Sequence, residues 1–414
     1  MTKVKKSNFL TQLMLILGII GPGLVTANAD NDAAGIATYA SVGAMFGYRM
    51  LWGLFIITIS LAVIQEMAAR MGVVTGKGLS DLIRENFGVK MTLFAMVTLL
   101  IANLTTTIAE FAGIAASLEI FGIPKYISVP LFAFIVWMVI TKGSYKKAEK
   151  FFLIISLVYL TYIFSGFMAK PNWNEVFKNT FVPSFSLKSD FVLIFIAMIG
   201  TTITPWMQFY LQSSVVDKGL DTKHLKYERI DVFLGAFVTD FVAFFIIVTT
   251  AATLHKHGIL IDTAGDAARA LEPLAGKYAA YLFAIGLFGA SLLGAHILPL
   301  STSYAITEAF GFENGLNKKF KDAPIFYGII LFFIVIGAGI ILLPNVPLIK
   351  IMLIAQEING ILVPIILIYM LKLTNSKEVM GEYTNSKTFN IIAWATVIFI
   401  IILTLILLVM PFVL

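Results

Sequence analysis

The 414-residue chain contains no cysteine, only four histidines and only 13% charged residues. Without cysteine no disulfide framework can form and no thiolate metal site can be built. No Gly-rich phosphate loop, HExxH helix or nucleophile elbow occurs, so the usual marks of phosphoryl-transfer and hydrolytic enzymes are missing. The first apolar stretch lacks a small-residue cleavage signature and reads as a transmembrane helix, not a secretory leader. What is abundant is apolar: 59% hydrophobic residues and a mean hydropathy of +0.90. A soluble chain of this length could not cover so much apolar surface, which places the protein among polytopic membrane proteins in contact with a lipid bilayer. The 35 phenylalanines are then lipid-facing surface and packing, with no cofactor implied. A net charge of +6 would suggest a nucleic-acid partner in a soluble chain, but here the placement of the basic residues accounts for it and no nucleic acid is expected.

A hydrocarbon core of roughly 30 Å takes about 20 apolar residues per helix. That window predicts eleven spans: 10–43 (interrupted), 46–69, 90–121, 126–141, 151–168, 190–215 (interrupted), 229–254, 278–309, 325–343, 347–372 and 389–413. With loops assigned alternately to two sides, the side of the N-terminus collects 21 of the 30 Lys and Arg residues. The positive-inside rule then predicts a plasma-membrane protein with a cytoplasmic N-terminus and an external C-terminus. An even number of spans would scramble this asymmetry.

Two spans are broken. Asp30 and Asp32 stand in the middle of the first, among Gly21, Pro22, Gly23 and Gly35, with the break expected from Thr26 to Gly35. Ionisable groups at this depth cost several kcal/mol and usually line an ion or substrate path. The sixth span breaks between Gly200 and Met207, where Pro205 lacks a backbone donor. Either break alone is explained by an ordinary kink. Together they lie five helices apart, at corresponding positions of two five-helix halves, the pattern of an inverted-repeat transporter with a midplane site. The expected architecture is one all-α transmembrane domain: repeat one over 10–168, repeat two over 190–372 and an extra helix over 389–413. The first halves of both broken spans end at the centre with free carbonyls, each end carrying about half a negative charge. Dipoles and carboxylates converge on a site for a cation.

Several segments resemble the Nramp family of divalent metal-ion transporters over nearly the whole length. They are the Gly-Pro-Gly…Asp register of span one, Phe46-Gly-Tyr-Arg-Met-Leu-Trp52, Gln65 followed by Thr75-Gly-Lys-Gly-Leu79, and Ala109-Glu-Phe111. To these are added the Thr-Pro break of span six, Gln356 eight residues before Pro364, and Lys377-Glu-Val-Met-Gly-Glu382. The resemblance implies the LeuT-type fold, metal contacts from the backbone carbonyls of Ala29 and Thr201, and a glutamine at Gln356 near the ion. The departures bear on selectivity. The family's Asp-Pro-Gly-Asn falls on Asp32-Ala33-Ala34-Gly35, which keeps the acid and loses the amide. Its Met-Pro-His falls on Thr204-Pro205-Trp206, which loses the thioether. An acid three residues before Glu110 is here Thr107, and a histidine further along span six is replaced near Leu211 or Gln212. A methionine sulfur favours manganese or iron over magnesium or calcium. An all-oxygen, roomier, strongly negative pocket suits a partly hydrated Mg²⁺, as in the Nramp-related magnesium transporter branch, with Mn²⁺ also accommodated. The missing titratable groups predict weak or absent proton coupling; the alternative is a proton-coupled Mn²⁺/Fe²⁺ importer.

Asp32 is read as a cation ligand, against a structural carboxylate tied to nearby backbone amides. Asp30 joins it if the backbone is extended there, or else sits in an outer vestibule. Asn28 and Asn31 either offer amide oxygens or cap the half-helices. Gln356 is assigned a site or gating role, Glu357 a vestibule or ion-pair role, and Glu110 a pathway role. Glu66, Asp240, His296 and Glu308 are explained by contacts between helices, and His255 and His257 by surface chance. Two other classes are weaker. An intramembrane enzyme rests only on the Asp30-Asn31-Asp32 pattern, and an amino-acid carrier of the same fold would aim a half-helix N-terminus at its substrate carboxylate. The expectation is a monomeric transporter that needs no cofactor, with Mg²⁺ or Mn²⁺ as cargo.

Overall fold

The computed structural model describes Thr26 and residues 31–142, 157–316 and 318–413, and these are almost entirely helical. Eight helices among them are long and apolar enough to cross a membrane, and Ala33–Phe46 and Lys125–Thr141 are shorter apolar helices. The principal elements are α1 (Ala33–Phe46), α2 (Leu51–Thr75), α3 (Leu79–Glu119), α4 (Lys125–Thr141), α5 (Thr161–Met168), α6 (Trp173–Phe181), α7 (Ser189–Thr202), α8 (Pro205–Asp217), α9 (Leu225–Thr253), α10 (Ala279–Phe310), α11 (Pro324–Ile341), α12 (Leu348–Asn375) and α13 (Lys387–Val413). Large apolar side chains such as Phe55, Phe134, Phe237, Ile391 and Leu405 are exposed on the outside of this bundle. In water that would be unfavourable; against acyl chains it is the ordinary surface.

Nine of the eleven predicted spans meet an apolar helix, with shifted ends; of the first, residues 10–30 other than Thr26 lie outside the described residues and the remainder meets α1. Span two begins at Leu51 instead of residue 46, because Gly47 (φ 59°) ends α1 and the chain turns before Leu51. Span three extends back to Leu79, but Gly88 (φ 73°, ψ 176°) interrupts it, so residues 79–87 form a separate segment ahead of the predicted start at 90. Only residues 157–168 of the fifth span are described; they form a 3₁₀ turn followed by α5. The sixth span is discontinuous: α7 stops at Thr202 and α8 starts at Pro205, whose missing N–H suits the first helical position. In the first span Asn31 and Asp32 are non-helical, and the break ends at Asp32, earlier than the expected Gly35, which already lies in the first turn of α1.

Glycine sets the closest helix approaches. A Cβ on Gly200 of α7 would lie 2.0 Å from the Gln356 carbonyl oxygen and 2.3 Å from the Gly360 nitrogen of α12. Gly360 in turn faces the Ile196 carbonyl, 2.3 Å from its own absent Cβ. At one end of the bundle, Arg70 donates to both Glu66 oxygens (3.0 and 3.1 Å), to Asn385 Oδ1 (2.5 Å) and to the Tyr383 carbonyl. Arg229 of α9 donates to Glu66 Oε1 at 2.7 Å, so one buried carboxylate joins α2, α9 and the turn before α13. This is the helix-to-helix role expected for Glu66.

Gly200→Ala places a methyl inside the backbone of α12, and neither helix can yield a flexible side chain to it. We expect a destabilisation of at least about 3 kcal/mol, the upper range for overpacking, seen as a lower thermal midpoint in detergent. An unchanged midpoint would mean that the α7–α12 crossing is looser than described.

Candidate metal centre

Asp32 connects the first break to α1. Its backbone is extended (φ −73°, ψ 179°), its carbonyl accepts from Ile36 N–H at 3.1 Å, and its Oδ1 accepts from Gly35 N–H at 2.6 Å. It is therefore the N-cap of α1, with the positive end of the helix dipole against its carboxylate. It is also only 4% exposed, at the polar centre of an apolar bundle. Of the two sequence readings, the structural one describes this bond, while the carboxyl group still faces Glu110.

Glu110 reaches Asp32 because small residues let α3 approach both α1 and α10. A Cβ on Gly113 would meet Ala33 Cβ at 2.5 Å and Ser291 Oγ at 2.2 Å, and one on Gly294 would meet Glu110 Cδ at 2.5 Å. Glu110 is fully buried and close enough to the Asp32 carboxyl for the two groups to interact electrostatically. With both groups ionised neither can donate, and neither Glu110 oxygen has a hydrogen-bond partner. Two carboxylates held together away from water repel strongly, and a proton or a cation between them relieves that repulsion.

A second polar wall is the end of α7. The Thr201 carbonyl would normally receive the N–H of residue 205, and Pro205 has none, so this oxygen is free of the helix. The hydroxyls of Thr201 and Thr204 are buried and unpartnered. Thr202 instead bonds Met198 O (2.7 Å) and Tyr39 OH (2.8 Å), which ties α7 to α1. Gln356 stands beside this wall because its own backbone touches Gly200. Its Oε1 accepts from Asn359 Nδ2 at 2.8 Å, and Asn359 also donates to Thr106 Oγ1 of α3 at 2.8 Å. The Gln356 carbonyl oxygen keeps a second lone pair, and its Nε2 has no partner.

Other predicted residues lie elsewhere. Asn28, Ala29 and Asp30 fall outside the described residues. Asn31 turns its amide nitrogen to Thr239 Oγ1 of α9 at 2.8 Å and acts as a strut between helices. Gly35 contributes its N–H to the Asp32 cap. Glu357 is half-buried, one residue off the α12 face that carries Gln356, Asn359 and Gly360, and does not join them. His296 bonds Leu292 O (2.6 Å) and Glu308 accepts from Ser80 (3.1 Å), in keeping with contacts inside the protein, whereas His255, read as a surface residue, is exposed but bonds Ala44 O (2.9 Å). Sequence reasoning gave no site role to Gln65, Gln208 and Gln212, buried amides with unpaired polar atoms on α2 and α8. The available signal was the four-residue spacing of Gln208 and Gln212 just after the Thr-Pro break. Among the described residues no cluster of three or more His, Cys, Asp or Glu side chains forms a metal site. The candidate set among the described residues is two carboxyl groups, hydroxyls, an amide and a freed carbonyl.

Comparison with known proteins follows the same lines. A family model described as natural resistance-associated macrophage protein-like matches residues 23–410. The divalent metal cation transporter MntH of Caldanaerobacter subterraneus subsp. tengcongensis is 27% identical over 403 residues, covering 95% of this chain and 93% of that one. The MntH of Bacillus subtilis is 26% identical over 409 residues, covering 96% and 93%. A crystal structure of the Eremococcus coleocola manganese transporter aligns with a TM-score of 0.76 at 19% identity, over 99% of this chain and 88% of that chain. Mhp1, a nucleobase-cation-symport-1 family transporter, aligns with a TM-score of 0.59 at 13% identity, over 95% and 92%. These structural likenesses show the LeuT-type fold expected above.

Asp32 combines a cap with a charge, and two substitutions separate them. Asn keeps the capping oxygen and removes the charge; Ala removes both. Asp32→Asn should be about 1 kcal/mol more stable than Asp32→Ala, measured by thermal unfolding in metal-free detergent. Equal stability of the two variants would show that the cap contributes nothing.

Proposed function

This chain belongs to the natural resistance-associated macrophage protein-like (Nramp) family, and from that premise we propose that it imports divalent metal cations across the plasma membrane by alternating access. The observation that carries the proposal is the buried Asp32–Glu110 pair at the start of α1, a helix that Tyr39 and Thr202 tie to the freed end of α7. Such a pair is unfavourable alone and neutralised by a doubly charged ion. Asp32, Asp30, the carbonyls of Ala29 and Thr201, Thr204 and Gln356 are the ligands of this reading. Glu110, Asn28, Asn31, Gly35 and Glu357 belong to the pathway or the surroundings. The names of the relatives, divalent metal cation transporter and manganese transporter, agree with it and describe transport, not catalysis.

The preferred ion is Mg²⁺, partly hydrated, with Mn²⁺ also carried. Thr204 stands where a thioether would favour the softer metals, and Gly35 provides space where an amide would fill it. Proton coupling is weak: Thr107 spends its hydroxyl on the Asn103 carbonyl at 2.8 Å, and buried Leu211 cannot titrate. The membrane potential is a sufficient drive, about 2.3 kcal/mol per charge per 100 mV and twice that for a divalent ion. The distribution of basic loops supports a cytoplasmic N-terminus and an external C-terminus. A monomer suffices, since every proposed ligand lies on one chain. The proton-coupled Mn²⁺/Fe²⁺ alternative is favoured by the presence of Glu110 beside Asp32. An amino-acid carrier is disfavoured, because the N-terminus of α1 is already occupied by the Asp32 carboxylate.

Purified protein in sealed liposomes should take up both Mg²⁺ and Mn²⁺ under an inside-negative potential, without acidifying a luminal pH indicator. Asp32→Ala should abolish uptake of both. Luminal acidification in step with uptake would establish the proton-coupled alternative. Thr204→Met should shift the Mn²⁺:Mg²⁺ flux ratio toward manganese by about tenfold, the equivalent of roughly 1.4 kcal/mol; an unchanged ratio would refute the sulfur argument.

A further inference from the structure

On the far side of the α7–α8 break, the helices carry buried amides that the proposed centre does not use. Gln208 of α8 and Gln65 of α2 are fully buried, and none of their four amide atoms has a hydrogen-bond partner. The two sides of this wall, α2 and the α7–α8 pair, run parallel. A Cβ on Gly53 of α2 would meet the Phe195 ring of α7 at 2.5 Å, and one on Gly72 would meet the Gln212 carbonyl at 3.0 Å and Gln212 Cγ at 3.3 Å. Gly72 therefore marks the α2 face turned toward α8. Gln65, seven residues and about two turns earlier, lies on that face. Gln208 is one turn before Gln212, on the α8 face turned toward α2.

Heights follow from the helical rise of about 1.5 Å per residue. Gln65 stands about 10 Å from Gly72, level with Thr204 and Pro205; Gln208 stands about 6 Å from Gln212 along the same direction. The two amides are thus offset by about 4 Å across one helix–helix seam. Gln212 donates its Nε2 to the Lys77 carbonyl at 2.8 Å and leaves its Oε1 unpaired. Thr204, Gln65, Gln208 and Gln212 form a polar column from the break toward the Lys77 end of α2 and α8.

Buried amides without partners are costly, and two of them on facing stripes demand a guest that both donates and accepts. A bare cation satisfies carbonyl oxygens and repels the NH₂ groups. A cation in its water shell satisfies both: metal-bound waters point their hydrogens outward to amide oxygens, and the amide NH₂ groups donate to further waters. Hydroxyl and amide side chains also carry no charge that would trap a divalent ion.

We propose that Gln65 and Gln208 are positioning residues that receive the transported cation through its water shell as it leaves Asp32 for the cytoplasm, and that they favour the ion that keeps its shell. This rests on the import reading above. Magnesium gives up its waters reluctantly, so its passage depends on such a station more than that of manganese.

The test measures Mg²⁺ and Mn²⁺ flux in parallel in liposomes carrying Gln208→Leu, Gln65→Met or Gln208→Asn. Gln208→Leu and Gln65→Met should each lower the Mg²⁺:Mn²⁺ flux ratio by about tenfold, and Gln208→Asn, which keeps an amide, should restore part of it. Equal losses for the two ions would mark the glutamines as packing residues and overturn the proposal, as would an unchanged ratio. Should Gln208→Leu fail to fold, Gln65→Met decides the question alone. Wild-type vesicles that take up neither ion would overturn the import reading itself, an outcome distinct from a wild type that transports and variants that keep its ratio.

Discussion

A helix that stops inside a bilayer exposes backbone groups to a solvent that cannot hydrogen-bond them, and this constraint organises the centre of the molecule. Each break needs compensation from within. At the start of α1 the compensation is Asp32, whose carboxylate takes the Gly35 N–H and faces the positive end of the helix. At the end of α7 the Thr201 carbonyl is left free, because Pro205 cannot donate to it. One break thus supplies a carboxylate and the other a carbonyl. The same backbone rule that forbids breaks in lipid makes these breaks receptive to a cation.

Packing joins the helices that carry the two ends. Gly113 and Gly294 let α3 press between α1 and α10, which carries Glu110 to Asp32. Gly200 and Gly360 let α12 cross α7 at backbone contact, which carries Gln356 to Thr201. A methyl at any of these four positions would move a proposed ligand or its neighbour before it changed any side-chain chemistry. The polar links show the same division of labour. Tyr39–Thr202 joins α1 to α7, Asn31–Thr239 joins the first break to α9, and Asn359–Thr106 joins α12 to α3. These are short, buried, uncharged bonds that hold positions without competing for a cation.

The membrane class, the sixth-span break and most of the helices were legible in the sequence, because they depend on local hydropathy, glycine and proline. Asp32 was legible for the same reason: a carboxylate at that depth has few explanations. What sequence reasoning missed depends on side-chain direction across long separations. Nothing local to Asn31 says that its amide turns to Thr239, 208 residues away, in preference to the centre. Glu357 and Gln356 are adjacent in sequence, yet 100° of helical rotation separates a half-buried residue from a fully buried one. The helix-to-helix role of Glu66 was expected, but its partner Arg229, 163 residues away on another helix, was not. Gln208 was overlooked because an amide in a helix reads as neutral until its surroundings are known.

The modest number of charges at the centre is itself an argument about function. Storage sites for divalent ions gather several carboxylates, and affinity rises with ligand charge. Here, among the described residues, Asp32 and Glu110 stand without a third acid, and apart from Asp30, which lies outside them, the remaining ligands of the proposed set are dipoles. Transport requires an ion to bind well enough to be selected and weakly enough to leave. In the proposed site two neighbouring carboxylates would select for double charge because their mutual repulsion penalises the empty state, while the carbonyl, hydroxyl and amide dipoles would add orientation at little cost to release. The cap on Asp32 sharpens this balance. Part of its charge is already spent on the Gly35 N–H and the α1 dipole, so it attracts a cation less strongly than an uncapped carboxylate at the same depth.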